Sequence, residues 1–241
     1  MDVARPLTVL VPSLDGPVLE ALARTSRPVT GREAHRLAGA GSESGVRLVL
    51  ARLVEHGLVN ATQAGKATLY VANREHIAWP LVEGLVNLRR ELFARMGKLI
   101  AAWSSPPATV TVFGSAARGD GGLDSDIDVL VVRPAGGDEV WEEQLDGLRE
   151  HVASWTGNPC QVYELTEQEF VQHVEAREPI VDEWRRDAVV VFGVPLTALV
   201  ERGAARWSRR DGRGRARAQG VIGGPESDVE GGGTRLSGGQ R

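Results

Sequence analysis

One stretch constrains this chain more than any other: Thr109-Val-Thr-Val-Phe-Gly-Ser-Ala-Ala-Arg-Gly-Asp-Gly-Gly-Leu-Asp-Ser-Asp-Ile-Asp-Val-Leu-Val-Val132. A β-branched run, Thr109–Phe113, breaks at Gly114-Ser115, and a second apolar run, Ile127–Val132, starts after a glycine-rich connection. Two strands flanking a tight turn is the reading these runs support. Gly114 lets a phosphate approach the backbone, and amides at the start of the turn point toward it. Ser115 adds a hydroxyl donor and Arg118 a positive charge, with Ser125 just ahead of the acidic pair. Asp126 and Asp128 lie two apart at the head of a strand, which puts both carboxylates on one face. Paired carboxylates beside a phosphate cradle suit Mg²⁺, which takes a few protein oxygens and completes its shell with phosphate and water.

Upstream of that stretch the pattern is helical. Asp15 is expected to cap a helix over Asp15–Ala23. Thr30 and Glu33 have capping-box spacing before a short helix to about Leu37. Ser42 opens a third helix, in which Val46, Val49, Leu50, Leu53 and Val54 form one apolar stripe stopped by Gly57. Extended runs at Leu58–Thr62 and Ala67–Ala72 are joined by residues 63–66, where Gly65 permits a hairpin turn. Ser44, Arg47 and Arg52 flank the stripe of the third helix, and Lys66 sits at the hairpin tip; these four are the candidate DNA contacts. Leu81–Trp103 reads as one long amphipathic helix, with Leu81, Leu85, Leu88, Leu92, Met96 and Ile100 at helical intervals, ended by Pro106-Pro107.

Downstream, helices are expected over Glu139–Trp155, Glu167–Val174, Val181–Arg186 and Leu196–Arg202, with strands at Cys160–Leu165 and Ala188–Phe192. Beyond Gly203 the chain is rich in Gly, Arg and Ser and too poor in large apolar residues to order itself, which reads as a disordered tail. Charge follows the same divisions. Residues 1–80 carry a net +2, 81–200 a net −10 and 201–241 a net +4. Such a gradient points to two domains with different partners. The single cysteine, Cys160, and five histidines without paired spacing exclude an internal disulfide and a zinc ligand set. No run reaches the roughly 18 apolar residues of a membrane span, so the reading is a cytoplasmic protein without a membrane partner.

Residues 109–132 resemble the nucleotidyltransferases of the DNA polymerase β superfamily, in particular their minimal bacterial members. The shared pattern is Gly114-Ser115, Arg118-Gly119 shortly after, and Ser125-Asp126-x-Asp128. Val46–Val59 is similar to the recognition helix and first wing strand of bacterial winged-helix regulators. These resemblances imply an α+β chain: a winged helix-turn-helix at 1–78, a linker helix at 79–104, a transferase domain with a small mixed sheet at 105–202, and the tail at 203–241. They also imply transfer of a nucleoside monophosphate from a nucleoside triphosphate, ATP being the first candidate, to an acceptor oxygen. Asp126 and Asp128 would hold Mg²⁺, and Gly114, Ser115, Arg118 and Ser125 would hold the nucleotide. Double-stranded DNA and a second copy of the chain would be the macromolecular partners.

The third carboxylate of that family is missing from its expected place. In Pro159-Cys-Gln-Val-Tyr-Glu-Leu165 the matching position is Gln161, which cannot take a proton. Glu164 falls on the other face of a regular strand. Two alternatives to an active transferase therefore stand: a transcription regulator with a silent, nucleotide-sensing transferase fold, and a protein-interaction module.

Overall fold

In the computed structural model, which describes residues 1–134 and 139–201, a 3-10 turn at Pro6–Val9 leads into helix α1, Asp15–Ala23. Asp15 is not its cap. Leu14 holds the cap position, and the Asp15 carboxylate accepts from Ser13 Oγ at 2.7 Å and pairs with Arg52. A carboxylate in the first turn still favours the positive end of the helix, so Asp15 acts through charge. Strand β1, Val29–Thr30, follows, and Thr30 caps α2, Gly31–Ala38, by accepting from the Glu33 amide at 3.2 Å. Glu33 itself turns to Arg27. Ser42 caps α3, Glu43–Glu55, through the Gly45 amide at 3.1 Å, and Val46, Val49, Leu50 and Leu53 are buried. Strands β2, Val59–Ala64, and β3, Ala67–Ala72, pair antiparallel down to Ala64 and Ala67, so Gly65 and Lys66 alone make the turn. β1 joins the other edge of β3, in the order β1-β3-β2.

The long helix expected from residue 81 onward is two helices: α4, Trp79–Val86, and α5, Leu88–Ala101, with Asn87 between them. The Asn87 amide and side chain both donate to the Glu83 carbonyl, at 3.0 and 2.7 Å, and end α4 there. The halves serve different cores. Trp79 and Val82 pack with Leu22, Val29 and Leu50, whereas Leu92, Met96 and Ile100 pack beneath the second sheet. Leu81, expected on the buried stripe, is 71% exposed.

Strand β4, Thr109–Phe113, runs directly into the five-residue helix α6, Gly114–Arg118. Then come β5, Ile127–Arg133, helix α7, Glu139–Thr156, and β6, Cys160–Thr166. Helices α8, Glu167–Ala176, and α9, Pro179–Asp187, precede β7, Val189–Gly193, and residues 196–201 are helical. The sheet order is β6-β5-β4-β7. β5 and β6 are parallel, and β4 is antiparallel to both neighbours, giving a small mixed sheet.

Alternation along these strands divides the core. Val110, Val112, Ile127, Val129 and Val131 meet α5 and α7, while Phe113, Leu130 and Val132 meet Phe170, Val181 and Trp184 of α8 and α9. Val3 is buried in the core of α5 and α7, and only from Leu7 does the chain enter the core of α1 to α4. Among the described residues no helix is long and apolar enough to cross a membrane. The segment 203–241, expected as a disordered tail, lies outside the described residues.

Candidate nucleotide site

The site begins where β4 ends. Phe113 is the register partner of Asp128, so the strand delivers Gly114 directly beneath that carboxylate. Gly114 has φ +66°, and a Cβ placed on it would lie 2.6 Å from Asp128 Oδ2. Glycine is required here twice over, by the left-handed backbone and by the contact. The first turn of α6 has no side-chain cap, which leaves amides available at the head of the helix. At its other end Gly119, φ +76°, closes the turn by donating to the Ser115 carbonyl at 2.8 Å. Arg89, two residues past the α4–α5 break, fills the space over Gly119 and donates Nη1 to the Ala117 carbonyl at 3.3 Å.

The connection to β5 is held from below. Asn158, 1% exposed, donates Nδ2 to the carbonyls of Leu123 (3.0 Å) and Ser125 (2.9 Å). The Ile127 amide bonds to the Pro159 carbonyl at 2.8 Å. Gly121 is buried, and a Cβ on it would meet Ser115 Oγ at 2.8 Å and Ser125 Oγ at 3.1 Å, so both serines border the same small space. Ser125 Oγ accepts from the Gly122 amide at 2.8 Å. Asp126 and Asp128, both half-buried, then head the strand. The Asp128 carboxyl titrates above its ordinary value, first because burial disfavours its charge, then because Asp126 and Glu183 repel it; Arg118 works the other way.

Arg118 is tied down. Its Nε donates to Asp120 at 2.9 Å and its Nη1 to Asp187 at 2.7 Å. Asp187, at the end of α9, also accepts from Arg186 Nε and Nη2 at 2.8 and 2.9 Å. With two guanidinium groups on it, beginning with Arg186, its carboxyl is held down at about 2.

Gln161 is the parallel-register partner of Asp128 and is exposed on the same face. Glu164 lies on the opposite face, where it accepts from Trp141 Nε1 at 2.8 Å and pairs with Arg133. It faces away from Asp128 and Gln161. Among the described residues no group of three or more His, Cys, Asp or Glu side chains forms a metal-binding cluster. The neighbouring Cys160 is buried, and burial pushes its thiol up to about 12, which leaves it an unreactive core residue.

Three residues of this region escaped the sequence reading. Asn158, Asp187 and Glu183 lie 30 to 60 residues beyond the motif and carry no spacing signal of their own. Asn158 follows Gly157 in a turn that reads as ordinary loop chemistry.

The candidate DNA contacts lie on α3 and at the β2–β3 turn. Ser44 and Arg47 are exposed on α3, with Ser44 Oγ 3.0 Å from Ser42 Oγ and Arg47 paired to Glu43 at 2.5 Å. Arg52 is paired to Asp15 of α1. Lys66 is exposed at the hairpin tip, with no ion-pair partner among the described residues.

Among known proteins, residues 96–192 match the family described as nucleotidyltransferase domain. A crystal structure of a toxin–antitoxin with AMP-PNP is 15% identical, with a TM-score of 0.32, over 54% of this chain and 98% of that one. A mutant of the toxin–antitoxin MntA–HpeT is 12% identical, with a TM-score of 0.31 over the same shares. No curated protein matches the chain.

Proposed function

We propose that the second domain binds a magnesium nucleoside triphosphate between the head of α6 and the Asp126/Asp128 pair, and transfers its nucleoside monophosphate to an acceptor hydroxyl. The observation that carries this reading is that a Cβ on Gly114 would lie 2.6 Å from Asp128 Oδ2, so the head of α6 stands against that carboxylate. Magnesium fits the donor set. Asp128 is half-buried against the charges of Asp126 and Glu183, and a divalent cation would relieve that repulsion. Asp126 and Asp128 would hold it, and when bound it would neutralise charge on the phosphates. Gly114 and Ser115 amides, the Ser115 and Ser125 hydroxyls and Arg118 would orient the triphosphate. In the transfer, the acceptor oxygen bonds to the α-phosphorus and loses its proton to solvent, while the bond to the bridging oxygen breaks and releases pyrophosphate.

A second reading rests on a specific residue. Gln161 stands beside Asp128 where the third carboxylate of the resembling family would be, and it cannot accept the acceptor's proton. This favours a nucleotide-sensing domain with little turnover. In either case the first domain is a winged helix that binds double-stranded DNA, a reading supported by α3 between α2 and a two-residue hairpin turn. The chain would act in the cytoplasm, as a monomer or a homodimer.

Calorimetry with ATP, with and without Mg²⁺, tests the site. Wild type is expected to bind only with the metal, and Asp126→Asn/Asp128→Asn to lose affinity by at least about tenfold, the effect of one charge-assisted contact. Equal binding by both proteins regardless of metal would refute it.

A further inference from the structure

Asp187 lies 69 residues from Arg118 in sequence, yet its carboxylate, with a side chain only 2% exposed, receives the Arg118 guanidinium at 2.7 Å. Two features make this contact more than a strut between α6 and α9. First, Asp187 is shared: Arg186 bonds to it through both Nε and Nη2, so two cations face one buried anion and Arg118 keeps part of its charge for another partner. Second, the remaining carboxylate on Arg118, Asp120, has a side chain 58% exposed, where water weakens its hold. The two contacts engage Nε and Nη1 of Arg118, and Nη2 has no partner among the described residues.

Arg118 is the last residue of α6, the helix whose other end carries Gly114 and Ser115. An arginine on a helix end ordinarily samples many rotamers and loses that freedom when it grips a phosphate. Fixing it beforehand removes the loss. We propose that Asp187 is a positioning residue, which holds the Arg118 guanidinium ready for the triphosphate tail of the nucleotide. This rests on the nucleotide reading above and deepens it, because it makes α9 part of the site and assigns Arg118 to the tail rather than to the base or sugar.

The discriminating quantity is the ratio of ATP to AMP affinity in the presence of Mg²⁺, measured by calorimetry alongside thermal melts. Asp187→Asn is expected to lower that ratio about tenfold, the size of one charge-assisted hydrogen bond. Arg118→Ala should lower it similarly, and the double variant no further. If ATP and AMP weaken together, Asp187 only supports the fold, and the proposal is overturned. Additive losses in the double variant would overturn it as well. Arg118→Lys is the second arm, independent of whether Asp187→Asn folds. Lysine keeps the charge but has one nitrogen in place of the fork, so the ratio should fall nearly as far as with alanine; a wild-type ratio would mean that charge alone suffices, and the proposal is overturned. A wild type that binds no Mg-ATP removes the nucleotide reading and this inference together, whereas a wild type that binds ATP beside an Asp187→Asn with an unchanged ratio removes this inference alone.

Discussion

Asp187 also marks where acid should act on this fold. Its carboxyl is held down at about 2, by Arg186 first and Arg118 after it, against roughly 3.9 in an unfolded chain. A depressed carboxylate contributes stability that is fully present above the unfolded value and is lost as pH falls through the folded one. The melting temperature of wild type should therefore exceed that of Asp187→Asn at pH 5, and the gap should shrink from about pH 4 and close near pH 2. Melts across that range, at one ionic strength, check it; a gap that stays constant would mean that the charge of Asp187 does not matter to folding. At this scale the sequence exposes the part of the candidate site that lies within one stretch of chain. Gly114, Ser115, Asp126 and Asp128 are legible because one turn and one strand head place them, so spacing alone aligns them. Asn158, Asp187 and Glu183 are brought in by tertiary packing, and nothing in their neighbours' pattern announces where the chain will fold back.

Among the elements, the pairing of β5 with β6 fixes which side chain stands beside Asp128. The Asp128–Gln161 register confirms the expectation that Glu164 points away, and Glu164 is occupied with Arg133 and Trp141. A carboxylate at position 161 would lie next to Asp128 on the same face. Gln161→Asp is expected to raise pyrophosphate release, since general-base assistance typically contributes roughly 10²–10⁴-fold, with the lower end more realistic for a side chain that its neighbours do not orient. Glu164→Gln should leave release unchanged and lower the melting temperature. If Glu164→Gln instead abolishes release, the assignment of faces is wrong. The strands could be read in advance because buried β-branched runs are bounded by Gly and Pro. The break at Asn87 could not. Helical periodicity continues through residues 81–100 in sequence, and only the existence of two separate cores shows that α4 and α5 must part company.

For the whole molecule, the proposed DNA contact turns on the exposed side chains of residues 1–78. The winged-helix resemblance implies nucleic acid, but the side chains qualify that: Arg47 is paired within α3 and Arg52 is paired to α1, so each has a carboxylate to leave before it meets a phosphate. Lys66 has no such competitor among the described residues and sits at the tip of a two-residue turn. If the domain binds duplex DNA as a winged helix, Lys66 is the residue whose contribution should be cleanest. Fluorescence anisotropy with a labelled duplex across a salt series gives the measurement. Wild-type affinity should fall linearly in log–log form with salt, and Lys66→Ala should reduce the slope by about one, because one phosphate contact releases about one counterion. The loss should be similar for unrelated sequences, since a phosphate contact carries no base information. Arg52→Ala should change the slope less, because Arg52 is already paired with Asp15 and is not free to displace a counterion from a phosphate. An unchanged slope in Lys66→Ala would remove the wing from the interface. Failure of wild type to bind any duplex at low salt would leave the exposed face of α3, with Leu48 74% exposed among Ser44 and Arg47, as a surface for a protein partner instead.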